Sequence, residues 1–370
     1  MRKKKSIVRV ILLFILVAVV GILFYKNYEK DKELDVKKWD NIYNEENIVF
    51  FYEDNTNIDS NESLKKLNEV YKVKELTSRG ENEIDQVLKS IDILNSIVEY
   101  DDVADGNLID GYEILKSKKD SKKVCGREMA IIARDLIITS GYKSRVGEFR
   151  VKNPQLSSSP SYYVVEYFSE EDQKWVMIDF KHRAYYLKDK KKLSAIEILN
   201  NKYSDLKYNG KSKYYDVKND FKRYLSSYTI AIDNTLSMKK SNSYLTYISS
   251  EKDIDLKKKN KFILPTIFTE NKNLFLKNPK DGVSGKDKSA YLIMMAKQDK
   301  SKNDKITYVI GAFQNYSVIN NYYIKINNDN WKQIKSVYSD IELKEGNNTV
   351  ELSLDGKNSI KKISIDRKEK

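Results

Sequence analysis

The chain of 370 residues holds one cysteine, Cys125, and one histidine, His182. A single cysteine excludes an intrachain disulfide, and a single histidine removes most zinc sites built from Cys and His. No metal or cofactor is expected. What remains is a lone thiol, a candidate nucleophile in its thiolate form. Cys125 stands where an apolar helix begins. Met129, Ile132, Ala133, Leu136 and Ile137 share one face of that helix, and Gly141 stops it. Helix N–H groups point outward at such a position, and Lys122 and Lys123 are close in sequence; both features lower a thiol pKa. The bland alternative is a small buried hydrophobe. His182 reads as a surface-loop residue with no required role, or as a base folded back toward Cys125.

The elements that must position these groups follow from periodicity. Segments 63–76 and 81–100 have helical spacing, the second with Ile84, Val87, Leu88, Ile91, Leu94 and Val98 on one stripe. After the Cys125 helix, segments 145–151, 162–168 and 175–178 are rich in Val, Tyr, Phe and Ile and read as strands. In the middle one Tyr162, Val164, Glu166 and Phe168 point one way, and Tyr163, Val165 and Tyr167 the other. Helices packed on an antiparallel sheet, an α+β arrangement, are predicted. Glu166 and Trp175 are read as structural parts of that sheet.

These residues resemble a family. Ile114-Leu115, Lys123-Val124-Cys125-Gly126 and Gly141-Tyr142-Lys143-Ser144-Arg145 are similar to the Cys segment of bacterial transglutaminase-like, papain-like cysteine domains. Tyr162-Tyr163-Val164-Val165-Glu166-Tyr167 and Lys174-Trp175-Val176-Met177-Ile178-Asp179 look like their His and Asp strands, and Leu193-Ser194-Ala195-Ile196-Glu197 is similar to their closing segment. The resemblance covers residues 60–200. It implies a thiolate at Cys125 attacking an amide or ester carbonyl, with Asp179 orienting a base. In the family a His stands four residues before the Glu, and here that residue is Tyr162. A phenol, with an ordinary pKa of about 10, is a poor proton shuttle compared with imidazole at about 6.5.

Outside that region, residues 10–25 carry no charge, and the stretch reaches back to Ile7 through Arg9. A single-pass transmembrane anchor over 7–25 is expected. Bulky Leu23, Phe24 and Tyr25 stand where a signal peptidase needs small residues, so the segment reads as uncleaved. Arg2, Lys3, Lys4, Lys5 and Arg9 supply five of the +13 net charge, which assigns residues 1–6 to the cytoplasm and the rest to the extracytoplasmic side of the plasma membrane. Residues 26–59 read as a stalk and 201–259 as a polar connector. Over 260–370, short alternating segments separated by Asn-, Gly- and Asp-bearing turns predict a β-sandwich. Its ending, Leu343-Lys344-Glu345-Gly346-Asn347-Asn348-Thr349-Val350-Glu351-Leu352, looks like bacterial immunoglobulin-like modules.

Charges are otherwise interleaved, with no concentrated basic and aromatic face, so nucleic acid is not an expected partner. The leading expectation is a membrane-anchored, catalytically impaired transglutaminase-like protein that binds or scaffolds a cell-envelope protein or polymer. An active cysteine acyl-transfer enzyme or peptidase using His182 is the alternative. A third is an adhesin-like protein whose sandwich does the binding.

Overall fold

The computed structural model describes residues 33–211, 220–259, 263–282, 285–296 and 307–368. Among these described residues strand outweighs helix, 35% against 24%, and the strands fall into several sheets. The expected α+β class is thereby corrected to a mostly β chain. The surplus strands come from segments without a readable period. Ser227–Ala231 and Tyr244–Ile248, inside the presumed connector, lie within the central sheet. Leu34–Asp40, inside the presumed stalk, pairs antiparallel with Lys361–Arg367 near the C-terminus.

The membrane anchor and the plasma-membrane placement built on it are also corrected. Among the described residues no helix is long and apolar enough to cross a membrane. The longest of them, Glu83–Ile97, has fifteen residues, short of the roughly 20 a span requires. The expected span over 7–25 lies outside the described residues.

The central sheet has six strands in the order Thr266–Thr269, Tyr244–Ile248, Ser227–Ala231, Ser144–Arg150, Ser161–Ser169 and Lys174–Ile178. Its two faces are both covered, by different material. Val165, Tyr167, Val176 and Ile178 pack against the helices Glu62–Tyr71, Glu83–Ile97, Gly111–Ser117 and Gly126–Thr139. Tyr162, Val164, Met177, Phe149 and Tyr228 face a second core rich in aromatic rings. Burial on both faces explains why the middle strand reads as a continuous apolar run with one internal acid.

Two further sheets enclose a third core, in which Tyr322, Ile324, Val350, Leu352, Ile363 and Ile365 meet Leu292, Met294, Tyr308 and Ile310. Trp39 is buried there, edge-on to Phe268 at 5.6 Å between centroids. The chain from Leu34 to Tyr52 runs from this core to the central one. Asn41 exchanges hydrogen bonds with the Leu292 backbone, and Phe51–Tyr52 pairs with Asp233–Asn234.

Gly147, in the strand Ser144–Arg150, is where a side chain is not tolerated. A Cβ there would lie 2.0 Å from Tyr228 Oη, because that ring crosses the strand to reach Glu166. Gly147→Ala is expected to destabilise the protein by about 1–3 kcal/mol through overpacking, read as a fall in thermal midpoint; an unchanged midpoint would refute this packing.

Candidate functional site

The helix Gly126–Thr139 starts after Cys125, whose backbone is extended (φ −75°, ψ 168°). Glu128 fixes this start. Its Oε2 accepts the Cys125 backbone N–H at 3.2 Å, and its Oε1 accepts Gly106 N–H at 3.0 Å. Fully buried, Glu128 draws Lys118 Nζ to 3.4 Å. The helix stops where a Gly141 φ of +107° permits the turn.

The half-buried sulfur meets a setting opposite to the one its sequence neighbours suggest. Burial pushes the Cys125 thiol up from its ordinary pKa, and the carboxylates of Asp105 and Glu128 push the same way. Backbone N–H groups of Glu128 and Arg127 act against this without reversing it. Lys123, expected to assist ionisation, turns away to pair with Asp101 at 3.0 Å, and Lys122 is exposed. The ligand atoms of Asp105, Cys125 and Glu128 lie within 4.8 Å of one another. Arg127 already pairs with Asp105 at 3.0 Å and Lys118 with Glu128, so the negative charge a divalent ion needs is largely neutralised.

Tyr162 and Asp179 are brought together. The strand register aligns their segments, and Tyr162 Oη donates to Asp179 Oδ2 at 2.9 Å. Both residues are buried. Burial, the Asp179 charge and this hydrogen bond hold the phenol well above its ordinary pKa. Burial also raises the Asp179 carboxyl, whose Oδ1 is buried without a hydrogen-bond partner among the described residues. The Tyr162 ring packs against Phe221 and Tyr224 at 5.1 and 5.3 Å between centroids.

Cys125 is not joined to that pair. Among the described residues no hydrogen bond links its sulfur to Tyr162 or Asp179. His182, half-buried, acts on Asp179: its backbone N–H points at the carboxylate and its charge favours the ionised form. The strongest charge influences on the sulfur are instead Asp105 and Glu128.

Two residues that sequence reasoning passed over occupy the space between. Lys181 Nζ lies 3.6 Å over the Tyr100 ring and 5.0 Å over the Tyr162 ring. Tyr100 in turn borders Gly126, next to Cys125. Burial lowers the Lys181 pKa, while Asp179, Asp220 and Asp102 hold against it. Its adjacency to Asp179 and His182 was the one available signal, and no periodicity marks it. The arrangement offers a protonated thiol, a neutral phenol on a carboxylate and a stacked cation. It can bind polar or aromatic groups, and the charged groups that act most strongly on the sulfur are the carboxylates of Asp105 and Glu128.

No known protein-family model matches the chain, and no curated protein matches it. A solved structure described as a "putative protease" from Parabacteroides distasonis aligns over 31% of this chain and 25% of its own, at 15% identity and a TM-score of 0.23. A likeness of that size carries no argument.

Proposed function

We propose that residues 60–200 are a transglutaminase-like domain whose thiol site is catalytically impaired, and that the protein works as a binding or scaffold module for a protein or polymer partner. The observation that carries this is the buried Tyr162–Asp179 hydrogen bond. In a working site Asp179 would hold the N–H of an imidazole whose other nitrogen takes the thiol proton. Here a phenol occupies that carboxylate, and its raised pKa keeps its proton in place. The sulfur, raised in pKa by burial and two acids, is correspondingly slow to ionise.

The expected result for the wild-type protein is an alkylation rate of Cys125 that climbs only above the ordinary thiol range of about 8.5. The sign follows from the direction of the shift: a raised pKa means the thiolate, and with it the reactivity, emerges at higher pH than in a free cysteine. Peptide-amide hydrolysis and amine incorporation into a glutamine-containing protein should not exceed those of Cys125→Ala. Thiol-dependent turnover that disappears in Cys125→Ala overturns the proposal, and its further loss in His182→Ala would install an active enzyme with His182 as base.

A further inference from the structure

Beyond the thiol site, the central sheet carries a cluster of charges that are buried and incompletely matched. Glu148 and Arg150 alternate on one face of Ser144–Arg150. The register places Arg150 opposite Ser161 on one neighbouring strand and opposite Ser227 on the other. Both Arg150 and Ser227 are fully buried. Arg150 Nη2 donates to Glu148 Oε2 at 2.9 Å. Its Nε and Nη1, together with Ser227 Oγ, have no hydrogen-bond partner among the described residues.

A second buried cation meets the same carboxylate. Lys258 Nζ contacts Glu148 Oε1, and the Ser161 hydroxyl donates to that oxygen as well. One carboxylate therefore serves two cations. Asp255 acts on both through space but makes no ion pair with either; burial drives its carboxyl toward the neutral acid and lowers the Lys258 ammonium in the same way. Direct contacts thus set two basic side chains against one carboxylate, at a place where the unmatched atoms are guanidinium and hydroxyl donors. A buried unpaired charge is strongly disfavoured. An acceptor-only ligand satisfies this set, and charge-assisted N–H contacts are among the stronger hydrogen bonds.

We propose that this cluster binds a small monoanion, a halide or a short carboxylate, held by Arg150 Nε and Nη1 and by Ser227 Oγ, with Lys258 and Glu148 completing the charge balance. The site holds Ser144–Arg150 to Ser227–Ala231 and is separate from the Cys125 pocket, so it does not depend on the reading of that pocket.

The test uses the full chain after exhaustive dialysis into sodium gluconate, a bulky reference anion. Replacing gluconate by chloride, bromide or formate at constant ionic strength is expected to raise the thermal midpoint along a saturable curve. A rise with halides alone assigns a halide, and a rise with formate alone assigns a carboxylate. Ser227→Ala, which leaves the charges intact, should weaken the half-saturating concentration about fivefold, the effect of one lost hydrogen bond. Crystals grown in bromide should show an anomalous peak beside Arg150. Equal midpoints in all four salts overturn the proposal, as does a rise that Ser227→Ala leaves unchanged with the bromide peak elsewhere.

Discussion

Glu166→Ala is expected to lower the stability of the central sheet by about 3–5 kcal/mol, the range seen when one partner of a buried ion pair is removed. Glu166 and Arg145 have 0% and 1% side-chain exposure and meet at 2.7 Å. Glu166 Oε2 also accepts Arg145 Nε and Tyr228 Oη, each at 2.8 Å, and its Oε1 accepts the Ala195 backbone N–H at 2.8 Å. Arg145 in turn donates to Phe275 O at 2.7 Å and stacks on Trp175 with Cζ 4.0 Å from the ring. One carboxylate thereby ties three strands of the sheet to the start of the helix Ala195–Leu199 and to the Lys272–Leu276 turn. Alanine would leave a buried guanidinium, a buried hydroxyl and a backbone N–H without their acceptor. Denaturant unfolding followed by tryptophan fluorescence reports the effect, since Trp175 sits on the guanidinium. The comparison is Glu75→Ala, which breaks the exposed Glu75–Arg79 pair (62% and 63% side-chain exposure) and should cost less than about 1 kcal/mol. Removing both charges with Arg145→Met and Glu166→Leu should cost less than Glu166→Ala alone, because no buried charge is then left unmatched. A loss under 1 kcal/mol in Glu166→Ala would refute the keystone role.

Glu166 also shows where the sequence was informative. A lone acid inside an apolar strand marks a buried, partnered group, and the alternation around it placed Tyr162 and Tyr163 on opposite faces. The helix after Cys125 was legible from its apolar stripe and Gly141. Strands Ser227–Ala231 and Tyr244–Ile248 were not. Each is five residues long, set among polar neighbours and buried on both faces, so neither helical nor alternating period develops. Leu34–Asp40 was hidden by its charged side chains, which suit an edge strand paired on one side only. The sign of the Cys125 shift was misjudged for a different reason. Lys122 and Lys123 adjoin the thiol along the chain, whereas Asp105 and Glu128 adjoin it in space, and charge interactions follow distance. The Lys181–Tyr100 contact joins residues 81 positions apart in numbering, a pairing that only the fold brings about.

Tyr162→His carries the largest functional expectation, because on the proposed reading it supplies the base that position 162 holds in transglutaminase-like sites. In the wild-type protein the phenol donates its only proton to Asp179 and is held neutral by burial and by that charge. An imidazole donating one N–H to Asp179 presents its second nitrogen as an acceptor, and a thiolate–imidazolium pair lowers the thiol pKa by several units in cysteine enzymes. A thiol above its ordinary pKa of about 8.5 is less than about 3% ionised at pH 7. Full ionisation would therefore raise the thiolate population more than about thirtyfold. Lower intrinsic nucleophilicity of a more acidic thiol takes back most of this, leaving a net gain of roughly a few-fold in iodoacetamide rate at pH 7. The pH profile of alkylation should move to lower pH as the pH 7 rate rises. Tyr162→Phe is the necessary control. It keeps the ring against Phe221 and Tyr224, removes the hydroxyl, and takes from Asp179 Oδ2 its Tyr162 donor, while Oδ1 has no hydrogen-bond partner among the described residues. It should cost about 1–3 kcal/mol of stability and gain no reactivity. If Tyr162→His folds and alkylates no faster than Tyr162→Phe, position 162 does not face the sulfur and the impaired-site reading fails. If it alkylates faster, the same variant becomes the reagent for asking which amide or ester the restored thiol attacks, and hence what the wild-type pocket holds without cleaving.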